Sequence, residues 1–212
     1  MNIGMVTSYV IAGMLLLGIA MMNIRVQNSS AELTISQMVR EYVVNITDLL
    51  NDDIPNMGYH VDRTTADVTS TGNRILVEAD SSKISFFRNL TDDPTRTPDF
   101  ITWELKQDTV FTGNPDIKTL TRSVQFQSTG TPVENDIQVG VTNFEIRYYD
   151  TVGAPLGSNM ATPLSAAQMQ DVEQVYIIME VQSREPVFER ATGDGRFVRT
   201  VWEKRFTPMN LQ

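Results

Sequence analysis

The amino-terminal segment Met1–Ile24 contains no charged side chain and is apolar along its whole length. A charge-free apolar run longer than about 18 residues is long enough to cross a bilayer as a helix. The rest of the chain is polar, acidic overall and contains many short runs that favour β-strands. This asymmetry predicts an apolar helix that carries a separate head.

The apolar segment passes without a break into an amphipathic pattern. Beyond Arg25, apolar residues recur at spacings of three and four, as on one face of a helix: Leu33, Ile35, Met38, Val39, Tyr42, Val43, Ile46, Leu49 and Leu50. The stretch Asn51–Asp53, followed by Pro55, is a stop signal. The pattern predicts one helix from Ile3 to Asp53, roughly 75 Å long, whose first half must be covered by lipid or by copies of itself.

Residues 54–212 predict one β-rich head. Half-buried runs alternate with turns that contain Gly, Asp and Pro. The predicted strands are Arg74–Val77, Lys83–Arg88, Phe100–Lys106, Lys118–Gln127, Val139–Tyr149, Val175–Gln182 and Phe197–Phe206. The fold class predicted is therefore α+β, with an apolar-to-amphipathic helix over residues 1–53 and an antiparallel head over residues 54–212.

Local patterns add detail to the predicted head. In one strand, Phe144, Ile146 and Tyr148 alternate with Glu145, Arg147 and Tyr149, which predicts a buried face and a wet face. Ser165–Gln170 predicts a short helix, and Thr192–Arg196 predicts a hairpin turn, because Gly and Asp tolerate positive φ.

Composition narrows the functional classes. The chain has 26 acidic against 17 basic residues and a net charge of −9, so it repels nucleic acid and anionic lipid at long range. It contains no cysteine, which excludes disulfides, thiol nucleophiles and cysteine-based metal sites. We therefore expect protein partners and no nucleic acid.

Residues for catalysis are scarce. His60 is the only histidine, so one chain cannot build a histidine metal cluster, and we expect a loop histidine that is solvated or locally hydrogen-bonded. No nucleophile elbow, phosphate-binding loop or dinucleotide fingerprint is present. We expect neither an enzyme nor a cofactor. Calcium is the one alternative, at hard oxygen ligands from acidic turns: Asp52, Asp53, Asp92, Asp93 and Asp99.

Several segments together resemble the type IV pilin-like superfamily, in particular the larger minor pilins and pseudopilins. Besides the helix and the β-rich head, these segments are Asp48–Tyr59, with its Gly-Tyr after the helix, Ser82–Phe87, Thr121-Arg122, Val141–Asp150 and Pro208–Leu211. They follow one another in the order seen in that group. The resemblance implies a subunit held in the inner membrane by one span, which then joins an extracellular or periplasmic filament of copies of itself or of other pilin-like subunits.

The chain departs from that family at its amino terminus. Members usually carry a basic leader that ends in Gly, and a Glu five residues into the mature chain. Here no basic residue precedes the apolar run and no acidic residue precedes Glu32. The fifth mature residue is Tyr9 if Gly4 ends a leader, or Met5 if numbering starts at the mature end. Tip-located minor subunits include such exceptions.

Two sets of residues are predicted to make contacts between subunits. The helix core is predicted at Tyr9, Ile11, Gly13, Leu15, Leu16, Leu17, Gly18 and Ile19. A basic face is predicted at Arg196, Arg199, Lys204 and Arg205, although a charged strand edge explains the same residues. The alternative function is a membrane-anchored extracytoplasmic binding module that never polymerises. Composition does not separate it from a filament subunit, because lipid and neighbouring helices are equally apolar surroundings. A third is a soluble binding head released from a cleaved signal.

Overall fold

A computed structural model describes residues 3–92, 94–108, 111–128, 130–152, 155, 159–188 and 195–211. Its first element is one continuous helix, α1, which spans Ile3–Asp53 and contains 51 residues. The predicted end at Asp53 is confirmed, and the helix is continuous from the first described residue. No proline lies inside it, and Pro55 follows shortly after the stop signal.

In the described part of the chain, α1 is followed by ten strands, one further short α-helix and two 3₁₀ turns. A five-stranded antiparallel sheet, sheet A, has the order β1-β2-β3-β4-β5, and a three-stranded antiparallel sheet, sheet B, has the order β10-β7-β6. The strands of sheet A are β1 (Leu76–Ala79), β2 (Lys83–Arg88), β3 (Asp99–Lys106), β4 (Thr119–Gln125) and β5 (Val133–Ile137). The strands of sheet B are β6 (Val141–Tyr149), β7 (Gln174–Gln182) and β10 (Arg199–Phe206). A two-stranded ribbon joins β8 (Val187–Phe188) and β9 (Gly195–Arg196), and α2 spans Ala66–Ser70.

The core lies where the second half of α1 meets both sheets. Val39, Val43, Ile46 and Leu50 are buried on one stripe of the helix. Trp103 of sheet A and Phe144 of sheet B are fully buried, with ring centroids 6.5 Å apart. The backbone of Ile146 also donates to Ser81 in the turn after β1, at 2.7 Å. The two sheets and the helix therefore share one hydrophobic core.

The α+β class is confirmed, and the seven predicted strands each overlap a strand of the structure. The prediction omitted α2, β5 and the β8–β9 ribbon. It was wrong for Tyr149, which lies on the outer face but is fully buried, because the guanidinium of Arg205 lies 4.8 Å from its ring centroid. The predicted helix at Ser165–Gln170 is shorter, a 3₁₀ turn at Gln168–Gln170. Residues 192–194 of the predicted hairpin turn lie outside the described residues.

Candidate functional site

The first half of α1 is a bare apolar surface. Every residue from 3 to 31 is exposed, and the head begins to cover the helix only beyond that point. All eight predicted helix-core residues lie in this part of the helix, with Tyr9 70 % and Leu16 68 % exposed. Among the described residues, α1 is a helix long and apolar enough to cross a membrane, by its length and composition. A surface of this kind requires an apolar environment that one copy of the chain does not supply.

The two glycines of the predicted helix core lie on this open surface. A methyl group placed on Gly13 or on Gly18 would meet no atom of the same chain within 4 Å. Neither glycine is therefore required by packing within one subunit. Glycine in a helix interior costs about 1 kcal/mol relative to alanine, so both positions make the lone helix less stable.

The other end of α1 is fixed in the head by a buried ionic cluster, the Asp53 cluster, formed by Asp53, Arg88, Trp103 and Arg122. Asp53 is the last residue of the helix and is fully buried. Arg122 donates to both of its carboxylate oxygens, from Nε to Oδ2 at 2.7 Å and from Nη2 to Oδ1 at 2.9 Å. Trp103 Nε1 donates to Oδ2 at 2.8 Å, and Arg88 Nη1 to Oδ1 at 3.1 Å.

The hydrogen bonds compensate a buried charge that would otherwise be costly. Two arginines surround one buried carboxylate, and Arg88 reaches outward to a second, Oδ2 of Asp52, at 2.8 Å. The hydrogen bond to Asp53 raises the pKa of Arg122 above its ordinary value. Paired and hydrogen-bonded charges of this kind are tolerated inside proteins, whereas removal of one partner leaves the others uncompensated. The cluster therefore ties the helix to three strands of sheet A.

Strand alternation explains how the arginines enter the core. In β2, Ile84 and Phe86 point inward, and Arg88 occupies the next inward position. In β4, Arg122 lies between the inward residues Leu120 and Val124. Side chains two apart on a strand share a face, so both arginines are directed at the end of α1.

The four residues of the predicted basic face have different partners within the chain. Two of them contact α1: Arg196 Nη2 donates to Glu32 at 2.9 Å, and Lys204 Nζ donates to Asn51 at 2.7 Å. Arg199 pairs with Glu180 at 2.6 Å on the neighbouring strand. Arg205 lies over the rings of Tyr149 and Tyr176. Arg196 of the ribbon and Lys204 of sheet B thus join the head to the flank of the helix.

Three of the segments that carry the pilin resemblance meet at one point. The backbone of Gly58, which follows the helix, donates to Phe87 of β2 at 2.8 Å. Gly58 has φ +71, and a Cβ there would collide with the backbone oxygen of Asn210. Only glycine accommodates both the left-handed conformation and this close approach. The turn after the helix, β2 and the carboxyl-terminal segment therefore contact one another.

Two of the acidic side chains considered as calcium ligands accept hydrogen bonds from the protein. Both carboxylate oxygens of Asp53 accept hydrogen bonds from Arg122. Those of Asp99 accept hydrogen bonds from the backbone N–H groups of Leu90 and Gln127, each at 2.8 Å. Across the described ranges, no three His, Cys, Asp or Glu side chains converge in a way that could hold a metal. Asp93 lies outside those ranges, so calcium stays an untested alternative there.

His60 has local partners. Its Nδ1 lies 3.2 Å from the amide nitrogen of Asn89 and 3.4 Å from the carboxylate of Asp92. These contacts belong to the two loops that follow α1 and β2. The arrangement is that of a loop histidine with hydrogen-bonding neighbours.

The Asp53 cluster was not predicted as a unit, although the sequence contains two signals for it. Asp53 continues the buried stripe of Val43, Ile46 and Leu50 at helical spacing, so a charge falls where an apolar residue is expected. Arg88 and Arg122 each fall on the inward phase of an alternating strand. A carboxylate and two arginines at core positions together predict a buried ion pair.

Comparisons of the chain with protein-family models, with curated proteins and with solved structures give no match. The structure itself establishes the α+β class and an exposed helix that is long enough to cross a membrane. The geometry of the helix and of the head that it carries is therefore the basis for a functional proposal.

Proposed function

We propose that the chain is a structural subunit of a type IV pilus-like or pseudopilus filament. It assembles through its apolar amino-terminal helix and displays the head outward. Before assembly the same helix holds the subunit in the inner membrane. The single observation that carries this proposal is the bare helix from residue 3 to residue 31, which no part of the described head covers.

The coupling between helix and head supports a structural role. A filament subunit must transmit force between its buried helix and its exposed head without the two parts separating. The Asp53 cluster supplies a fixed joint, since one carboxylate at the end of the helix is bound from β2, β3 and β4. The contacts of Arg196 and Lys204 hold the helix flank as well.

Gly18→Leu tests the proposal, because it separates lipid from protein surroundings. Leucine favours membrane insertion and helix formation over glycine, so the amount of protein in the membrane fraction should stay normal or rise. A close-packed filament core cannot accept the added side chain without strain of typically 1–3 kcal/mol. Since Gly18 touches nothing in its own chain, any loss of filaments must arise between subunits. The measurement is filament yield by negative-stain microscopy, with peptide mapping, beside the membrane level.

Ala66→Leu is the matched control. Ala66 is exposed at the start of α2, so the substitution adds a similar apolar side chain outside α1. Normal membrane level with lost filaments for Gly18→Leu, and normal filaments for Ala66→Leu, supports the proposal. A natural chain that never forms filaments, with Gly18→Leu silent, overturns it in favour of the membrane-anchored binding module.

A further inference from the structure

Sheet A and sheet B each end in a strand whose outer edge has no paired strand among the described residues. These strands are β5, which pairs with β4, and β10, which pairs with β7. The strands at the opposite sides of the two sheets are covered: the backbone oxygen of Ala79 in β1 accepts from Leu164, and that of Tyr148 in β6 accepts from Met160. Open strands present unpaired backbone groups that can pair with another chain.

The β5 edge and the β10 edge lie on opposite flanks of α1. Ile137 and the adjoining Val139 line a small cleft with Asn45 and Leu49 of the helix. Lys204 of β10 reaches Asn51. At 100° per residue, Asn45 and Asn51 fall on either side of the buried stripe of the helix. A subunit therefore offers one open edge to a neighbour on one side and the other open edge to a neighbour on the other side.

The two edges carry opposite charge. β5 contains Glu134 and Asp136 and no basic residue, and these carboxylates share one ammonium, that of Lys106, at 3.2 and 3.5 Å. One negative charge is left over even with Lys106 included.

β10 has the opposite balance. It contains three basic residues, Arg199, Lys204 and Arg205, against Glu203 alone. Even when Glu180 of β7, which pairs with Arg199, is counted with the strand, basic residues outnumber acidic ones by formal charge. The ammonium of Lys204 meets a neutral amide and the ring of Phe206, and it is exposed.

An exposed valine lies on each strand among these charges. Val133 of β5 and Val201 of β10 are each 49 % exposed. A strand that pairs with either edge would therefore bury apolar surface as well as backbone groups. Charges that served only to prevent edge association would not need to have opposite signs on β5 and β10.

We propose that the β5 edge of one subunit pairs with the β10 edge of a second copy of this chain. Pairing of β5 with β5, or of β10 with β10, brings like charges together, whereas pairing of β5 with β10 brings opposite charges together. The contact is heterologous, and repetition of a heterologous contact gives a ring or an open helical array. This inference rests on the proposed function and specifies how neighbouring heads meet around a core of apolar helices.

The absence of cysteine permits a direct test in the full-length protein. The double variant Val133→Cys/Val201→Cys is treated in intact membranes and in isolated filaments with a short, flexible thiol-to-thiol cross-linker. We expect a ladder of two, three and more chains from the double variant and only monomers from each single variant. Dimers from a single variant indicate pairing of like edges and overturn the proposal, as does the absence of any ladder in filaments that form normally.

The result is separable from that for the proposed function. A ladder in membranes without filaments supports the edge contact and counts against filament assembly. Neither ladder nor filaments overturns both proposals. Filaments without a ladder leave the helix-core assembly intact and refute only the edge contact.

A charge variant tests the electrostatic part of the same contact. Glu134→Lys in the double-cysteine background should lower the cross-linked fraction by about fivefold, which corresponds to the upper value of roughly 1 kcal/mol for an exposed ion pair. Glu104→Lys is the matched control, because Glu104 is a half-buried carboxylate on β3, away from either edge, with its side chain 42 % exposed. It should leave the ladder unchanged. An equal effect of both variants, or no effect of Glu134→Lys, contradicts the assigned charge complementarity.

Discussion

The indole Nε1 of Trp103 donates a 2.8 Å hydrogen bond to Oδ2 of Asp53, and both side chains are completely buried. This bond joins the last residue of a 51-residue helix to the middle strand of sheet A. The end of α1 is thus fixed at the centre of the head, while its other end lies far outside the head. Force applied along the helix is received by a buried polar joint and by the hydrophobic stripe beside it.

Asp53→Ala should be strongly destabilising. The substitution leaves two arginines and an indole N–H without their shared acceptor inside the core, and loss of one member of a buried ion pair typically costs about 3–5 kcal/mol. The measurement is urea unfolding of the full chain in detergent, followed by tryptophan fluorescence. Asp52→Ala is the control: the Asp52 side chain is 58 % exposed and pairs with Arg88, so about 1 kcal/mol or less is expected. Equal losses for the two variants would show that the buried cluster contributes no more than a surface pair.

Gly58→Ala should destabilise the head more than Gly72→Ala. Both glycines have positive φ, +71 and +75, so each alanine variant incurs about 1–2 kcal/mol of backbone strain. At Gly72 nothing lies within 4 Å of the added methyl group, whereas at Gly58 it collides with the backbone of Asn210. Overpacking of that kind typically adds about 1–3 kcal/mol. Thermal unfolding of both variants measures the difference, and identical midpoints would refute the close approach of the carboxyl-terminal segment.

Tyr176 should make the stability of the head fall at alkaline pH. Its hydroxyl donates to Oε2 of Glu203 at 2.6 Å, and this bond raises the pKa of Tyr176 from 10.0 to about 12. A group whose pKa is raised by folding contributes stability that is fully present below its unfolded pKa. That contribution is lost as the pH rises from 10 through 12.

Tyr176→Phe should abolish this component of the alkaline loss. Glu203→Gln should reduce it, because without the carboxylate the titration of Tyr176 in the folded protein moves to lower pH, closer to that of the unfolded chain. The free energy of unfolding, measured as a function of pH, reports the first effect, and tyrosinate absorbance reports the second. An unchanged alkaline profile in both variants would exclude the hydrogen bond as its cause.

Much of the fold follows from the sequence, but the polar joint, α2, β5 and the β8–β9 ribbon do not. The helix and its end at Asp53 are predictable because the apolar and amphipathic patterns are long and Pro55 follows them. Strand β5 escapes prediction because four of its five residues are exposed, so Val133–Ile137 shows no alternation of buried and wet residues. The Asp53 cluster escapes because its members are 35, 50 and 69 residues from Asp53. Only the tertiary fold brings such distant residues together.

Deletion of Met5–Met22 should yield a soluble, folded and monomeric head. Residues 3–31 of α1 are exposed throughout, so the deletion removes surface that stabilises nothing in the head. The ion pair between Glu32 and Arg196, the Asp53 cluster and the buried stripe of the helix all remain. Light scattering measures the mass, and circular dichroism shows whether the β-rich head keeps its secondary structure.

The same deletion separates the two kinds of contact between subunits. The edge contact of β5 with β10 consists of exposed charges and short strands, so it is too weak to polymerise heads that are not already brought together by their helices. A truncated head that is monomeric in dilute solution agrees with helix-driven assembly, because a shared filament core is what raises the effective concentration of the heads to about the millimolar range. A truncated head that forms filaments would show that head contacts are sufficient and that the apolar helix serves only as a membrane anchor.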